Sequence, residues 1–422
     1  MVKVGVIGCG SISRQRHVYE YAHNKDVELI GYFDLNADRA KAMADEFGGK
    51  VYATVDELIN DPNIDAVSVC VANAYHAENT IKALNAGKHV LCEKPMATTY
   101  DDCLAMIEAA KKNNKHLLIG QNQRLTNTHK RAKELIASGE YGKVICFQTT
   151  FGHGGPESWS ADKSANTWFF KKDAASFGSM ADLGIHKLDL IRYLIGDDYA
   201  SVYSKQVVLD KKFPDGKPIE VDDNSVEVLR FKNGVFGTVT TSWTVYGEEV
   251  QQTTLFLQKG IMKLYADPNY SLIVVKADGT VDKFQLDVIQ TNDDAQQASS
   301  GVIDEFISAI IEDRPSVLDA SDVINSMKAV FACVDSNAQG KETIMKEAYA
   351  KEKMADLRFE LQQVLISQQE NVSEYLTTKK QKPMLLESCR KKNIKFTSEI
   401  LLYSYRIPPV NYYFIVMLRF LL

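Results

Sequence analysis

Two stretches carry side chains able to hold or move a proton. The first is Val90-Leu91-Cys92-Glu93-Lys94-Pro95, an apolar run that ends in a charged pair and a proline. A buried parallel strand reads this way up to its carboxyl end, which is where open α/β sheets bind ligands. Pro95 fixes its own φ and disfavours helix at Lys94, so the lysine leaves the strand in a defined direction. The second is Gly178 to Asp189. Leu183, Leu188, Leu190, Ile191 and Leu194 give it helical apolar periodicity, and Asp182, His186 and Asp189 fall at i, i+4 and i+7 on one stripe. An imidazole with its ordinary pKa near ~6.5 suits a base at neutral pH. A lysine amine can donate to a developing oxyanion. An isolated Glu-Lys-Pro is more often a surface turn, and a bare Asp-x-x-x-His a solvated face. Their surroundings decide.

Upstream of Glu93 stands a strand, a glycine turn and a helix. Val2 to Ile7 is a short apolar strand, followed by Gly8-Cys9-Gly10-Ser11-Ile12-Ser13 and a helical segment to about Asn24. Gly8 allows the tight turn and Gly10 lets the backbone approach a pyrophosphate resting on helix amides. Ser13 replaces the third glycine, which keeps the residue small and degrades the motif. A second strand, Val27 to Phe33, ends in Asp34. A carboxylate there accepts from ribose hydroxyls and repels a 2′-phosphate, which favours NAD over NADP. Arg39 either flanks an adenine or lies on a solvated helix face. Helices and strands then alternate through Ala66 to Val71, Val90 to Cys92 and His116 to Ile119, as in a doubly wound parallel sheet. Other strand ends at the same edge carry Ala72, Asn73 and His76, then Asn122 and Arg124. Asn73 is equally a helix cap, and Arg124 equally a salt-bridge partner.

From Lys143 the pattern changes to period-two strands, among them Val144 to Phe151, Val202 to Leu209, Ser225 to Phe231 and Val235 to Trp243. Consecutive strands of this kind make a largely antiparallel open sheet. Helices at about Val302 to Glu312 and Ala320 to Asn337 close this part. Trp159, Trp168, Phe169 and Phe170 precede the Asp/His helix, either as the wall of a sugar-sized pocket or as an aromatic mini-core.

The fingerprint, Cys92-Glu93-Lys94-Pro95 and Gly178-x-x-x-Asp182-x-Gly184-x-His186-x-x-Asp189 occur in this order. Together they resemble the glucose–fructose oxidoreductase, inositol dehydrogenase and MocA (Gfo/Idh/MocA) family over roughly residues 1 to 345. The resemblance implies an α/β fold, with a Rossmann domain at 1–122 and an α/β domain with a large, mostly antiparallel open sheet at 123–345. It implies NAD or NADP as cofactor, and a secondary alcohol carbon of a sugar, sugar derivative or cyclitol as the reacting centre. Lys94, Asp182 and His186 match the family's catalytic set, and Trp168 its tryptophan near nicotinamide and substrate. Gly8, Cys9, Gly10, Ser11, Ile12, Asp34, Arg39, Ala72, Asn73, His76, Glu93, Lys94, Asn122 and Trp168 are the expected cofactor contacts. Many members follow the tryptophan with arginine; here Phe169 stands there, though Lys171 and Lys172 are close. The resemblance also implies a homodimer or homotetramer built through the second sheet. An NAD-dependent glycosidase that oxidises its sugar transiently is the alternative, and a non-catalytic NAD-sensing regulator a third reading. Neither needs a metal.

The 422 residues suit two domains. A net charge of −6 without a dominant basic stripe argues against nucleic acid as partner. The seven cysteines include no CxxC and no zinc spacing, which fits reduced thiols in the cytoplasm. Residues 346–422 leave the family pattern. Their apolar end is interrupted by Arg406, Pro408, Pro409 and Arg419 and makes no convincing membrane span. They are expected to be a poorly ordered extension without catalytic role.

Overall fold

The computed structural model describes residues 1–288 and 299–345, so the extension at 346–422 lies outside the described residues. A six-stranded sheet is formed by β1 (Val2–Ile7), β2 (Val27–Phe33), β3 (Lys50–Val51), β4 (Ala66–Val69), β5 (His89–Cys92) and β6 (Leu117–Ile119). Its order is β3-β2-β1-β4-β5-β6, and every pairing is parallel. β2 and β4 flank β1 on opposite sides, so the connections diverge there and leave a crevice at the carboxyl edge. The central strands β1, β4 and β5 are apolar: Val4, Val6, Val67, Val69, Val90 and Leu91 are fully buried.

The second sheet contains β7 (Val144–Gly152), β8 (Tyr199–Val207), β9 (Asn224–Phe231), β10 (Phe236–Ser242), β11 (Thr253–Leu257), β12 (Gly260–Leu264), β13 (Leu272–Lys276), β14 (Val281–Phe284) and β15 (Thr343–Ile344). They run in the order β14-β13-β12-β11-β7-β10-β9-β8-β15. β7 and β10 pair in parallel; the remaining neighbours are antiparallel. Period-two patterning sends Phe147, Val202, Leu229, Val239, Leu255 and Met262 to one face, where all are buried. Helices Gly184–Ile195 and Ala320–Gln339 pack over that face. The other face carries exposed Tyr203, Val226 and Phe236.

One apolar core runs beneath both sheets. A second core lies against the outer side of β1 and contains Val2, Val4, Val6 and Tyr32 together with Ile303, Phe306, Ile307 and Leu318. Helix Val302–Glu312 thus returns from the late chain to cover the first sheet. Helix Asn127–Ser138, capped by the Thr126 side chain, was not apparent from the sequence pattern, nor were the short strands β13 and β14.

Candidate active site

The carboxyl edge of the first sheet and the helices of the second enclose a cavity of about 670 Å³. It is built from the glycine turn outward. Gly8 has φ +93, and a Cβ there would lie 2.3 Å from the Cys70 carbonyl oxygen, so the turn admits no other residue. Gly10 lines the cavity, and a Cβ there would meet nothing within 4 Å. The backbone is bare where a pyrophosphate would approach. A π-helical turn, Ser13–Val18, continues into helix Tyr19–His23. Ser13, in the third glycine position, is fully buried, as a residue packed between helix and strand must be.

Asp34 ends β2 with both carboxylate oxygens engaged: Oδ2 accepts the Cys9 amide at 2.7 Å and Oδ1 the Asn36 amide at 2.7 Å. Of the residues expected at a cofactor, all but Cys9 line the cavity. Cys9 lies beneath the turn. Its amide is committed to Asp34, and its thiol is buried in the core under β1, where burial pushes its pKa up to about 12.

Glu93 and Lys94 take different roles at the end of β5. The Glu93 carboxylate meets His17 Nε2 at 2.8 Å, and His17 Nδ1 and the Tyr21 hydroxyl meet Ser68 Oγ at 3.0 and 2.7 Å. Burial alone would raise the Glu93 pKa; His17 and Lys94 override it and hold it down at about 2. Gly120 leaves room for this carboxylate, since a Cβ there would lie 3.0 Å from it. The Lys94–Pro95 peptide is cis. His76 Nδ1 lies 2.7 Å from the Pro95 carbonyl and Nε2 lies 3.0 Å from that of Val71, which ties this turn to the next strand end. Asn73 is not a cap: its Nδ2 donates to the Ala175 carbonyl at 2.9 Å, across to the second half of the chain.

Lys94 reaches the second half directly. Its Nζ donates to Asp182 Oδ1 at 2.8 Å and to the Asp182 carbonyl at 3.1 Å. Trp243 Nε1 donates to the other carboxylate oxygen at 3.2 Å. Asp182 ends the short helix Ser179–Asp182, which Asp222 anchors by accepting from the Gly178 and Met180 amides and the Ser179 hydroxyl. Gly178 is required here because a Cβ would lie 1.8 Å from the Asp222 carbonyl oxygen.

The expected stripe is broken. Leu183 separates the Asp182 helix from helix Gly184–Ile195. Asp182 and His186 both line the cavity, but Asp189 does not. Asp189 is in the core, accepting from Arg124 Nε at 2.7 Å and from Ser326 at 2.7 Å. Arg124 is therefore a structural ion-pair residue, joined also to Asp322. Asp182 makes no hydrogen bond to His186 among the described residues, because its oxygens are held by Lys94 and Trp243. The His186 ring packs against Phe151 at 5.8 Å, and its buried Nδ1 has no partner among the described residues. Burial, with Lys94, Arg16 and Lys187 nearby, pushes the His186 pKa well below its ordinary value. The imidazole is thus neutral and able to accept.

Trp168 and Phe169 stack at 3.8 Å and 24°, and both line the cavity beside Trp159. Phe170 instead joins Phe151, Leu183 and Trp243 in a small core, so the aromatic segment is both wall and core. Lys171 and Lys172 do not approach the cavity; they line a separate surface concavity with Asp173, Phe213 and Glu220. Sequence reasoning missed Phe151, Trp243 and Asp222. Phe151 stands near the end of β7 and Trp243 just beyond β10, whereas Asp222 precedes β9 and carries no such positional signal.

Residues 2–121 match the model of an oxidoreductase family with an NAD-binding Rossmann fold, and residues 129–263 match the GFO/IDH/MocA C-terminal domain. A myo-inositol 2-dehydrogenase of Thermotoga maritima is 33% identical over 285 residues, 67% of this chain and 80% of that protein. The chain belongs to the Gfo/Idh/MocA family of oxidoreductases. A glucose-6-phosphate 3-dehydrogenase of Bacillus subtilis is 33% identical over 247 residues, 57% of this chain and 68% of its own length. The solved structure of a levoglucosan dehydrogenase in complex with NADH and levoglucosan superposes with a TM-score of 0.68 at 25% identity, covering 81% of this chain and 98% of that one. The open space over Gly10, the Asp34 carboxylate and the buried Asn122 Oδ1 in the cavity wall, without a partner among the described residues, fit this family's dinucleotide. Among the described residues no helix is long and apolar enough to cross a membrane, and no cluster of ligating side chains could hold a metal ion.

Proposed function

We propose that this oxidoreductase acts on one secondary alcohol carbon of a sugar, sugar derivative or cyclitol, with Lys94 and His186 on either side of the reacting hydroxyl. The observation that carries this reading is the shared cavity: a lysine from the first sheet and a neutral, buried imidazole from the second half line the same space. NAD, when bound, supplies the acceptor or donor of the hydride. Gly8, Gly10 and Asp34 hold its phosphates and ribose, and Asn122 and Trp168 its nicotinamide end. His186 takes the hydroxyl proton on an imidazole nitrogen. Lys94 donates to the alcohol oxygen as negative charge grows there. Asp182 anchors Lys94 through its carboxylate. The Trp168–Phe169 stack offers an apolar platform for the C–H face of a ring, and the placement of Lys171 and Lys172 away from it favours a substrate without a phosphate at that end.

Residues 1–122 carry the cofactor and 123–345 the substrate, with 302–318 returning to the first sheet. Tyr203, Val226 and Phe236 on the open face of the second sheet support a homodimer or homotetramer formed through it, and the free thiols of the described cysteines support a reducing compartment such as the cytoplasm. An NADH-absorbance screen across inositols, hexoses, sugar phosphates and glycosides tests the reading, with free aglycone assayed in parallel. Aglycone release without net NADH, or no turnover of any polyol, would overturn it. A monomer by light scattering would remove the assembly.

A further inference from the structure

Arg39 and Asp162 come from different halves of the chain and form an ion pair across the mouth of the cavity, with side-chain exposures of 33% and 52%. Arg39 lies early in helix Ala37–Phe47, at the edge where Asp34 ends β2. Asp162 follows the short helix Pro156–Trp159. A second tie holds the same segment: Ser11 Oγ, in the glycine turn, donates to the Trp159 carbonyl at 3.2 Å. Residues 159–162 are thus strapped over the nucleotide end of the cleft, and Trp159 to Asp162 all line it.

The ribose edge of a dinucleotide is read at the end of β2, where a carboxylate selects the 2′-hydroxyl and an arginine accommodates a 2′-phosphate. This chain has both groups, so Asp34 and Arg39 by themselves give opposed instructions. The pairing resolves them. Asp162 occupies the guanidinium and brings a second carboxylate to the same edge. A dianionic 2′-phosphate must displace Asp162 from Arg39 and then sit beside two carboxylates, whereas a 2′-hydroxyl leaves the pair intact. We propose that Asp162, a residue of the substrate-binding half, is a cofactor discriminator that sets NAD over NADP by holding Arg39 as its counter-ion. The proposal rests on the reading of this cleft as the dinucleotide site. A pair this exposed adds little to stability, so its consequence is selectivity, and salt weakens it.

The test is fluorescence titration of NADH and NADPH against the full chain, Asp162→Asn, Arg39→Ala and the double variant at low ionic strength. Asp162→Asn should tighten NADPH by about tenfold, ~1.4 kcal/mol, and leave NADH within about twofold. The gain should vanish in the double variant, because it needs Arg39. Asp162→Ser should repeat the result, which guards against an effect particular to asparagine. An unchanged ratio of the two affinities in both single variants, or a gain that survives loss of Arg39, overturns the discriminator while NADH binding by the parent chain leaves the cleft reading standing. Failure of the parent chain to bind either nucleotide overturns both.

Discussion

The Lys94 ammonium lies 2.8 Å from the Asp182 carboxylate, and this ion pair joins the end of β5 to the helix that precedes His186. Both side chains are largely withdrawn from solvent, at 17% and 7% exposure. Breaking one side of such a pair leaves an uncompensated charge. Lys94→Met should therefore lower turnover by at least ~10²-fold while NADH still binds, and Asp182→Asn should lower it less. Steady-state kinetics beside a fluorescence titration separate these effects. Full turnover in Lys94→Met would remove the lysine from the chemistry.

His186→Ala should cost ~10²–10⁴-fold in kcat, the range of a lost general base. Because the folded protein depresses the His186 pKa, the acid limb of the kcat/KM profile should lie below the ordinary histidine value. The same depression means that the unfolded chain binds a proton there first. Stability is therefore lost as pH falls through the unfolded value near ~6.5. His186→Gln should flatten that part of the melting curve. An acid limb at the ordinary value in the parent enzyme would contradict the buried, neutral imidazole.

Asp34→Ala should weaken NADH more than NADPH, since it removes the carboxylate that accepts from a ribose hydroxyl. It also releases the Cys9 and Asn36 amides. Some loss should then appear with both nucleotides, by titration. Equal losses would mean that Asp34 only shapes the turn.

Gly178→Ala forces a Cβ into the Asp222 carbonyl and should destabilise the fold by about 1–3 kcal/mol, as overpacking does. Asp182 rides on the helix that Asp222 anchors, so kcat should fall in the folded fraction too. Denaturant melts and active-site titration report the two effects. A variant with parent stability would contradict the packing.

Glu227 is buried on β9, with one oxygen accepting from the Ser204 hydroxyl at 3.1 Å and the other without a partner among the described residues. Burial pushes its pKa up to about 8. Between the unfolded value and that one, the native state holds a proton that the unfolded chain has released. Stability therefore falls as pH rises through this window, by at most ~1.4 kcal/mol per pH unit. Glu227→Gln should melt higher than the parent at pH 8 and gain little at pH 5, by calorimetry. Parallel pH profiles would show that the carboxyl is not held neutral.

The parallel sheet was legible because five of its six strands are apolar runs alternating with helical segments; β3, two exposed residues at Lys50–Val51, gave no such signal. Lys94, Asp182 and His186 were legible because residue type and spacing name a chemistry. What the stripe at 182, 186 and 189 concealed was the break at Leu183 and the claim of Arg124 on Asp189, since a heptad offset says nothing of partners elsewhere in the chain. The depressed pKa of His186 was hidden in part for the same reason: its causes are burial first, then Lys94 and Arg16 from distant positions, with Lys187 next to it in the chain. Trp243 looked like an ordinary strand-end residue, and Asp222 carried no signal in the sequence; the fold brings them to Asp182 and its helix.

The return of helix Val302–Glu312 to the flank of β1 has a consequence for biogenesis. When the ribosome has released the first 122 residues, Val2, Val4, Val6 and Tyr32 still await Ile303, Phe306 and Ile307. The nascent nucleotide-binding half must wait, that flank covered only in part by Val18, Tyr21, Ala40 and Met43, through the synthesis of nearly two hundred further residues. A fragment ending at residue 122 should accordingly light up a hydrophobic dye that the whole chain excludes.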